Sequence, residues 1–532
     1  MATLQFKGKN IIWNHHMSVP YHTLDLDEKL SYKQDKANGN LIIEGDNLPA
    51  LKSLLPQYAG EIDCIYIDPP YNTGQEKWVY NDNVNSPLIR DWIGKEVGSD
   101  DLTRHDKWLC MMTPRLKLLY ELLKERGVMF ISIDEHEIGN LTVLLKEIFD
   151  DNCLDYLIWR KTGKQSNTKR IDRVKTTHEY VLVVYKNKAN TRLNKIKLLP
   201  KWANKYTNPD NDPRGVYKQG IISNKEDKSN PNKPNYYTVT TPTGIKYTRE
   251  WYISKEEFLK LDEDNRIFYP KSGNGVPSLK IFEKEEQDYY LDSIMDRFGT
   301  FTKAKSEIEE FFGDKNLFET PKPTKLLKEI IRSATDTNSI ILDAFAGSGT
   351  TAQAVLELNE EDGGNRKFIL IQMPENSKKE PNKNICRDIT RERVVKVIEK
   401  KLENKEVGFE YKRVGQPIDA ETILSGQLPT YKELAKYVFY LATGQSLKEE
   451  DIDEKKYLAG KIDHTEVYLL YTPNMEELKK MAITFEWAKD ISKGNENKKI
   501  VYAPACFMDD EYLEQFNMKF VSIPYNLFER EK

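Results

Sequence analysis

The stretch "EIDCIYIDPPYNTG" (residues 61–74) decides how the chain is read. Ile62, Cys64, Ile65, Tyr66 and Ile67 make a near-continuous apolar run, without the alternation of a half-exposed strand. Such a run predicts a strand buried on both faces, the kind found inside parallel sheets. The run stops at Asp68, where Pro69 and Pro70 prevent the ladder from continuing. A carboxylate is left at the strand tip, exposed to whatever binds there, with Tyr71 beside it.

The flanking segments extend the pattern. "NLIIEG" (40–45) predicts a short strand, and "DNLPALKSLLPQ" (46–57) a helix with Asp46 or Asn47 available as its cap. "KWLCMMTPRLKLLYELLKERG" (107–127) has leucines and methionines at helical spacing and predicts a helix ending at Gly127; Trp108, Met111 and Met112 fall on its core side. "VMFISID" (128–134) is the next buried strand and "IGNLTVLLKEIFD" (138–150) the next helix. A β-α-β-α series predicts a doubly wound, mainly parallel α/β sheet with helices on both faces. "YLIWRK" and "HEYVLVVYK" read as further strands.

From about Thr191 to Thr320 the chain is rich in Asn, Lys, Tyr, Pro and Gly, and helical periodicity is weak. An irregular, mainly-β insertion with long loops is expected there. The α/β pattern resumes with "PTKLLKEIIRSA", "SIILDAFAGSGTTAQAVLEL", "KFILIQM" and "NICRDITRERVVKVIEKKLE". The expected division is an N-terminal extension (1–40), one half of the α/β domain (41–190), the insertion (191–320), the second half (321–412) and a small C-terminal α/β domain (413–532).

Composition narrows the class. The 532 residues carry a net charge of −4, with 39% hydrophobic and 31% charged residues. No apolar run reaches the length of a membrane span, and the start "MATLQFKGKNIIWNHH" lacks the layout of a signal peptide. The five cysteines (Cys64, Cys110, Cys153, Cys386, Cys506) are scattered without metal-ligand spacing. Reduced thiols, a cytoplasmic location and no metal site are expected. Charge is distributed unevenly: residues 160–250 hold 21 Lys+Arg against 7 Asp+Glu, a local +14 that leaves −18 elsewhere. One basic face on an acidic protein suits a phosphate-contacting surface, although a solvated lysine-rich face would look the same.

The strongest ligand signal is "LDAFAGSGTT" (342–351). A buried strand ends at Asp343–Phe345, Gly347 and Gly349 permit a sharp turn and close approach to a ligand, and a helix opens near Thr350 with free N–H groups. The stretch lacks the Gly-Lys-Ser/Thr of a phosphate loop and the third glycine of the dinucleotide fingerprint.

"DAFAGSGTT" resembles the F-x-G-x-G motif with which amino-methyltransferases hold S-adenosylmethionine, and "DPPY" (68–71) resembles their catalytic motif. The catalytic motif comes first, a basic variable region follows and the cofactor motif comes last. That circularly permuted order is similar to the β group of DNA adenine-N6 methyltransferases. "LIIEGDNLPALKSLLP", "HEYVLV", "NPDNDPRG", "ETPKPTKLL" and "GGNRKFIL" further resemble the modification subunits of type III restriction-modification systems. The resemblance covers roughly residues 40–410 and, more loosely, the C-terminal part.

The resemblance implies site-specific methylation of the exocyclic amine of adenine in duplex DNA, with S-adenosylmethionine as cofactor. Asp68 and the carbonyl of Pro69 would each accept an N–H of the amine, Pro70 would stiffen the loop, and Tyr71 would stack on a flipped base. Phe345, Ala346, Gly347, Gly349 and Thr350 would line the methionine part, with Asp343 at the strand end. Lys322 belongs to the segment that closes over the methionine carboxylate. Asp46 has two readings, a cofactor contact or a helix cap. Gln372 stands where many relatives place a ribose-binding acid, with Glu375 just beyond. For DNA, Arg160, Lys161, Lys164, Lys169 and Arg170 are the expected phosphate contacts, with Arg214 in the insertion. His178 either contacts the base or, with Glu179, braces a strand.

A homodimer and an ATP-dependent helicase-nuclease partner are implied as well; the chain itself has neither a Walker loop nor a nuclease signature. Other readings are a solitary adenine methyltransferase, amine methylation of cytosine (where relatives have serine in place of Asp68), an RNA or protein methyltransferase, and a non-catalytic DNA-binding or assembly subunit.

Overall fold

The computed structural model describes residues 3–73, 101, 103–151, 153–162, 174–196, 206–282, 290–376, 382–403 and 406–523. The chain forms two compact units: residues 1–194 together with 292–532, and residues 195–291.

The first unit is built on a ten-stranded sheet. Its strands in chain order are β1 (His22–Leu26), β2 (Leu41–Glu44), β3 (Ile62–Ile67), β4 (Leu123–Ile133), β5 (Leu154–Arg160), β6 (His178–Tyr185), β7 (Ile294–Met295), β8 (Ile340–Asp343), β9 (Lys367–Gln372) and β10 (Glu410–Pro417). In space the order is β1-β10-β2-β9-β8-β3-β4-β6-β5-β7. The central strands β10, β2, β9, β8, β3 and β4 run parallel. β6 is antiparallel to both β4 and β5. The sheet is therefore mainly parallel and its two sequence halves interleave, with β8 seated directly against β3 (Ile341 opposite Cys64). This is the expected doubly wound methyltransferase-type fold.

Helices cover both faces, which is why β3 has no polar alternation. On one face Ile65 and Ile67 pack in a core with α1 (Asn47–Tyr58), α2 (Arg104–Leu122) and α3 (Ile138–Ile148), through Leu51, Leu54, Trp108, Leu116, Leu119 and Leu144. α5 (Thr324–Ala334) packs against β3 and β4. Its Leu326, Leu327, Ile330 and Ile331 are all buried, each worth roughly 1.5–3 kcal/mol of burial. α6 (Thr350–Asp362) packs on α5, and α7 (Glu392–Lys400) on α6.

Three expectations change. The helix expected to reach Gly127 ends at Leu122, and β4 starts at the next residue. Ile62 pairs with Leu123 while Cys64 pairs with Val128, so the residues between are bulged out of the ladder. A Cβ at Gly127 would lie 2.7 Å from the Leu123 side chain. Second, the region expected to be irregular and mainly β holds α4 (Phe301–Phe312), which buries Ala304, Ile308 and Phe311 along one face. Third, the C-terminal segment is not set apart from the main sheet. It has its own four-stranded sheet of β11 (Leu458–Ile462), β12 (Thr465–Leu469), β13 (Lys498–Ala503) and β14 (Met518–Ser522). Its helix α8 (Tyr431–Thr443) puts Leu434 and Val438 into the same core as Leu51 and Leu54 of α1, and β10 runs across the boundary drawn at residue 412.

The second unit contains a three-stranded sheet (Tyr217–Gly220, Ile267–Phe268, Ser278–Phe282), a hairpin (Tyr236–Thr240, Lys246–Glu250) and a helix (Lys255–Glu263). Trp251, Phe258, Val239, Ile222 and Ile267 form its small core.

Candidate active site

Because β3 and β8 are parallel neighbours, their C-terminal ends open side by side. Ligands bind in α/β sheets at such carboxyl ends. "DPPY" leaves β3 and the glycine turn leaves β8, and both line one cleft of about 920 Å³. The loop after β3 is clamped from below. The Trp108 indole N–H donates to the Pro70 carbonyl at 2.7 Å. Asn72, buried with φ 58°, donates to the buried Glu137 carboxylate at 2.5 Å. Glu137 also meets His105 Nδ1 at 2.6 Å. Among the described residues nothing donates to the Pro69 carbonyl.

The acceptor side is a charged cluster. Lys322 Nζ lies 2.6 Å from Asp68 Oδ2, 3.0 Å from the Tyr71 hydroxyl and 3.6 Å from Glu179 Oε2. The Tyr71 hydroxyl bridges Asp68 Oδ1 (2.8 Å) and Glu179 Oε2 (3.1 Å). Lys161 Nζ holds the other Glu179 oxygen at 3.3 Å. Burial works against the Lys322 ammonium, but Asp68 and then Glu179 outweigh it and raise its pKa, so it stays charged. Burial, Asp68 and Glu179 all push the Tyr71 phenol well above its usual range, so it stays neutral. Tyr66, beneath the cleft, shares a 2.8 Å hydrogen bond with Ser132.

The glycine side is held rigidly. Gly347 and Gly349 have φ of +50° and +78°, and Gly349 caps α6. A Cβ at Gly347 would meet Phe318 Cζ at 3.0 Å, and one at Gly349 would meet the Thr390 carbonyl at 3.0 Å. Asp343 accepts from Phe345 N–H (3.0 Å) and Thr351 hydroxyl (2.5 Å). Burial pushes its carboxyl up to about 7; those two hydrogen bonds oppose the rise, and Asp68 adds to it. The fully buried Arg393 donates to Ser348 Oγ, Thr350 Oγ1, Gln353 Oε1 and Thr324 Oγ1 at 2.8–3.3 Å. It thereby joins the glycine turn to the segment carrying Lys322.

S-adenosylmethionine fits these residues. The glycines leave bare backbone against the cleft where a side chain has no room. Asp46 and Glu375 offer carboxylates for hydroxyls and an ammonium, and Phe345 and Met373 offer apolar wall.

A protein-family model described as DNA methylase matches residues 62–383, which contain both strand ends and the insertion between them. The chain belongs to the DNA methylase family. The chain is 35% identical over 408 residues to the type III restriction-modification enzyme StyLTI Mod subunit of Salmonella typhimurium, covering 72% of this chain and 61% of that protein. It is 32% identical over 410 residues to the EcoPI Mod subunit of Escherichia phage P1, covering 67% and 61%. It is 31% identical over 376 residues to the type II methyltransferase M.KpnI of Klebsiella pneumoniae, covering 66% and 84%. The chain thus spans about three fifths of the length of the two Mod relatives.

The cleft brings together Asp68, Pro69, Pro70, Tyr71, Asp46, Lys322, Asp343, Phe345, Ala346, Gly347, Thr350, Gln372 and Glu375. Some stand differently from expectation. Lys322 is engaged by Asp68 and Glu179, the carboxylates nearest its ammonium. Asp46 does cap α1, accepting from Leu48 N–H at 2.8 Å, and its carboxylate also meets Arg115 at 3.0 Å in the cleft wall. Gln372 Oε1 accepts from Gly347 N–H at 2.7 Å and so braces the turn. Lys161 is turned into the cleft toward Glu179. Arg214 grips both oxygens of Asp212 at 2.9 Å, reaches Asp264 at 3.3 Å and lies over Phe282. Arg160 is exposed at the end of β5, opposite His178, whose ring packs edge-on to Tyr180. Lys164, Lys169 and Arg170 lie outside the described residues.

Sequence reasoning missed Arg115, Asn47 and Arg393. Arg115 Nε donates to Asn47 Oδ1 at 2.5 Å, and Asn47 Nδ2 to the Ala344 carbonyl at 3.0 Å, tying two helices to the glycine turn. The available signal was position: an arginine among the core residues of α2, and another on the apolar face of α7, demand buried partners.

Proposed function

We propose that this methylase transfers a methyl group from S-adenosylmethionine to the N6 amine of adenine in a specific duplex DNA sequence, as the modification and recognition subunit of a type III restriction-modification system. One observation carries the reading. An Asp-Pro-Pro-Tyr strand end and a glycine turn, 275 positions apart between Asp68 and Asp343, open into a single cleft at neighbouring strand ends.

When bound, S-adenosylmethionine supplies an electrophilic methyl group. Phe345–Gly349, Asp343 and Thr350 would hold its methionine part, with Asp46, Gln372 and Glu375 as candidates for the nucleoside. The chain's own work is on the amine. An aromatic amine is a poor nucleophile because its lone pair is delocalised. Asp68 and the Pro69 carbonyl would each accept one N–H, drawing the nitrogen toward a tetrahedral form. These contacts strengthen as positive charge develops on nitrogen, so they favour the transition state. The Trp108 and Glu137 clamps fix the loop before the base arrives, which supports catalysis by positioning. The Tyr71 ring offers a face for the flipped base. Asp68 or water takes the leaving proton.

The basic stretch 160–250 supports phosphate contact, with the insertion reading the sequence. The two relatives named as Mod subunits of type III restriction-modification enzymes support assembly with a restriction partner; a homodimer, a helicase-nuclease as that partner and action on DNA in the cytoplasm are what the sequence resemblance implies. A solitary methyltransferase without a nuclease partner is the second reading; co-purification of a nuclease subunit from the native host separates the two. The test of the activity is transfer of labelled methyl groups to DNA followed by nucleoside digestion. N6-methyladenine is expected from the wild type and none from Asp68→Ala, whose DNA binding persists. Label in N4-methylcytosine, or undiminished activity of Asp68→Ala, refutes the assignment.

A further inference from the structure

We propose that Lys322 occupies the place of the target amine, and that Glu179 is a positioning residue that receives the Lys322 ammonium when the base arrives. The inference rests on the methyl-transfer reading above and adds to it an occupant that must move.

The Lys322 ammonium makes the contact to Asp68 that the target amine is proposed to make. Its Nζ gives an N–H to Asp68 Oδ2 at 2.6 Å. It sits 5.2 Å from the Tyr71 ring centre, with the rings of Phe301 and Trp159 at 5.9 and 6.0 Å. It meets the Tyr71 phenol at its oxygen, 3.0 Å away, and the Phe301 and Trp159 rings add cation–π attraction. With Lys322 on Oδ2 and the Tyr71 hydroxyl on Oδ1, both Asp68 oxygens already hold a donor where the target amine would bind. The pairing is also wrong for the chemistry, because Asp68 must meet positive charge growing on the amine, and a resident cation cancels that field.

Lys322 therefore has to release Asp68, and a buried ammonium cannot be left unpaired. Glu179 is the carboxylate within reach: Oε2 is 3.6 Å from Nζ, so a shift of about 1 Å completes a charge-assisted hydrogen bond. Glu179 is itself buried and fixed, with Oε1 on Lys161 and Oε2 on the Tyr71 hydroxyl. The backbone beside Lys322 is pinned. Thr324 gives its N–H and hydroxyl to Glu307 at 3.1 and 2.7 Å and takes a bond from Arg393. Glu179 then acts through Lys322 on Asp68.

The test uses the full chain, S-adenosylmethionine and a duplex carrying the methylated site found for the wild type. Single-turnover methyl transfer and cofactor affinity are measured for Glu179→Gln, Glu179→Asp, Lys322→Met and the Glu179→Gln/Lys322→Met double variant. Glu179→Gln is expected to slow transfer on the order of a hundredfold, with Glu179→Asp recovering most of it. Cofactor affinity is expected to stay within about twofold in all four, and the double variant to be no slower than Lys322→Met alone, because the lost receiver has nothing left to receive. Additive losses overturn the proposal. So does a fall of about tenfold or more in cofactor affinity for Lys322→Met, a measurement independent of whether Glu179 variants fold, since it returns the lysine to the cofactor. A wild type that transfers no methyl group to DNA overturns the underlying reading as well. An active wild type with additive variants overturns only this inference.

Discussion

Asp343 ends β8 with its carboxyl buried and its titration displaced to about 7 from 3.8. A group whose folded pKa is raised keeps its proton in the native state after the unfolded chain has lost it. Below pH 3.8 both states are protonated and the group is neutral to stability. Between 3.8 and 7 the native state binds more protons, so stability falls as pH rises; above 7 the loss is complete. The total is about 4 kcal/mol, of which about 3 kcal/mol falls between pH 5 and pH 8. Asp343→Asn removes the titration while keeping the geometry: its Oδ1 accepts from Phe345 N–H and its Nδ2 donates to the Thr351 hydroxyl, which now donates to Asp343. The assay is denaturant unfolding of both proteins across pH 5–8. Other titrating groups cancel in the difference, so the variant should gain about 3 kcal/mol relative to wild type from pH 5 to pH 8. Profiles that stay parallel within about 1 kcal/mol would refute the assignment of a protonated buried carboxyl at the strand end.

Gly349→Ala forces a side chain onto φ +78° with Cβ 3.0 Å from the Thr390 carbonyl; it should lose about 1–2 kcal/mol from the backbone alone and weaken S-adenosylmethionine binding in calorimetry. Gly363→Ala, at φ +68° with nothing within 4 Å, should lose only the backbone part and bind the cofactor normally. Trp108→Phe removes the indole donor to the Pro70 carbonyl, and an unpaired buried carbonyl costs about 1–3 kcal/mol. Its kcat should fall by about tenfold with cofactor affinity retained, since the loop loses position and the glycine turn does not. Arg393→Met leaves Glu307 without its nearby cation (3.6 Å) and frees the glycine turn from the Lys322 segment. Melting curves should report a loss of about 3–5 kcal/mol.

The parallel sheet was legible because its causes are local. A strand buried on both faces must be apolar at successive positions, and β3, β4, β8 and β9 all are. The glycine turn was legible because only glycine adopts the φ values of residues 347 and 349 at little cost. α4 was overlooked, although Phe301, Ala304, Ile308 and Phe311 recur at helical spacing, because lysines and glutamates outnumber them in a polar region. The division at residue 412 followed a change of pattern, while the core that unites α8 with α1 depends on which surfaces meet.

By itself the sequence determined that Asp68 would stand at a strand tip and that a tight turn would follow Asp343, because prolines and glycines act on their own backbone. The tertiary structure alone decided that these two ends would lie side by side, since strand order follows from packing across hundreds of residues. It alone put Lys322 on Asp68, Glu179 within reach of both, and Arg393 beneath the turn. Those pairings depend on which opposite charge is nearest in a buried cleft, a distance that no spacing along the chain encodes.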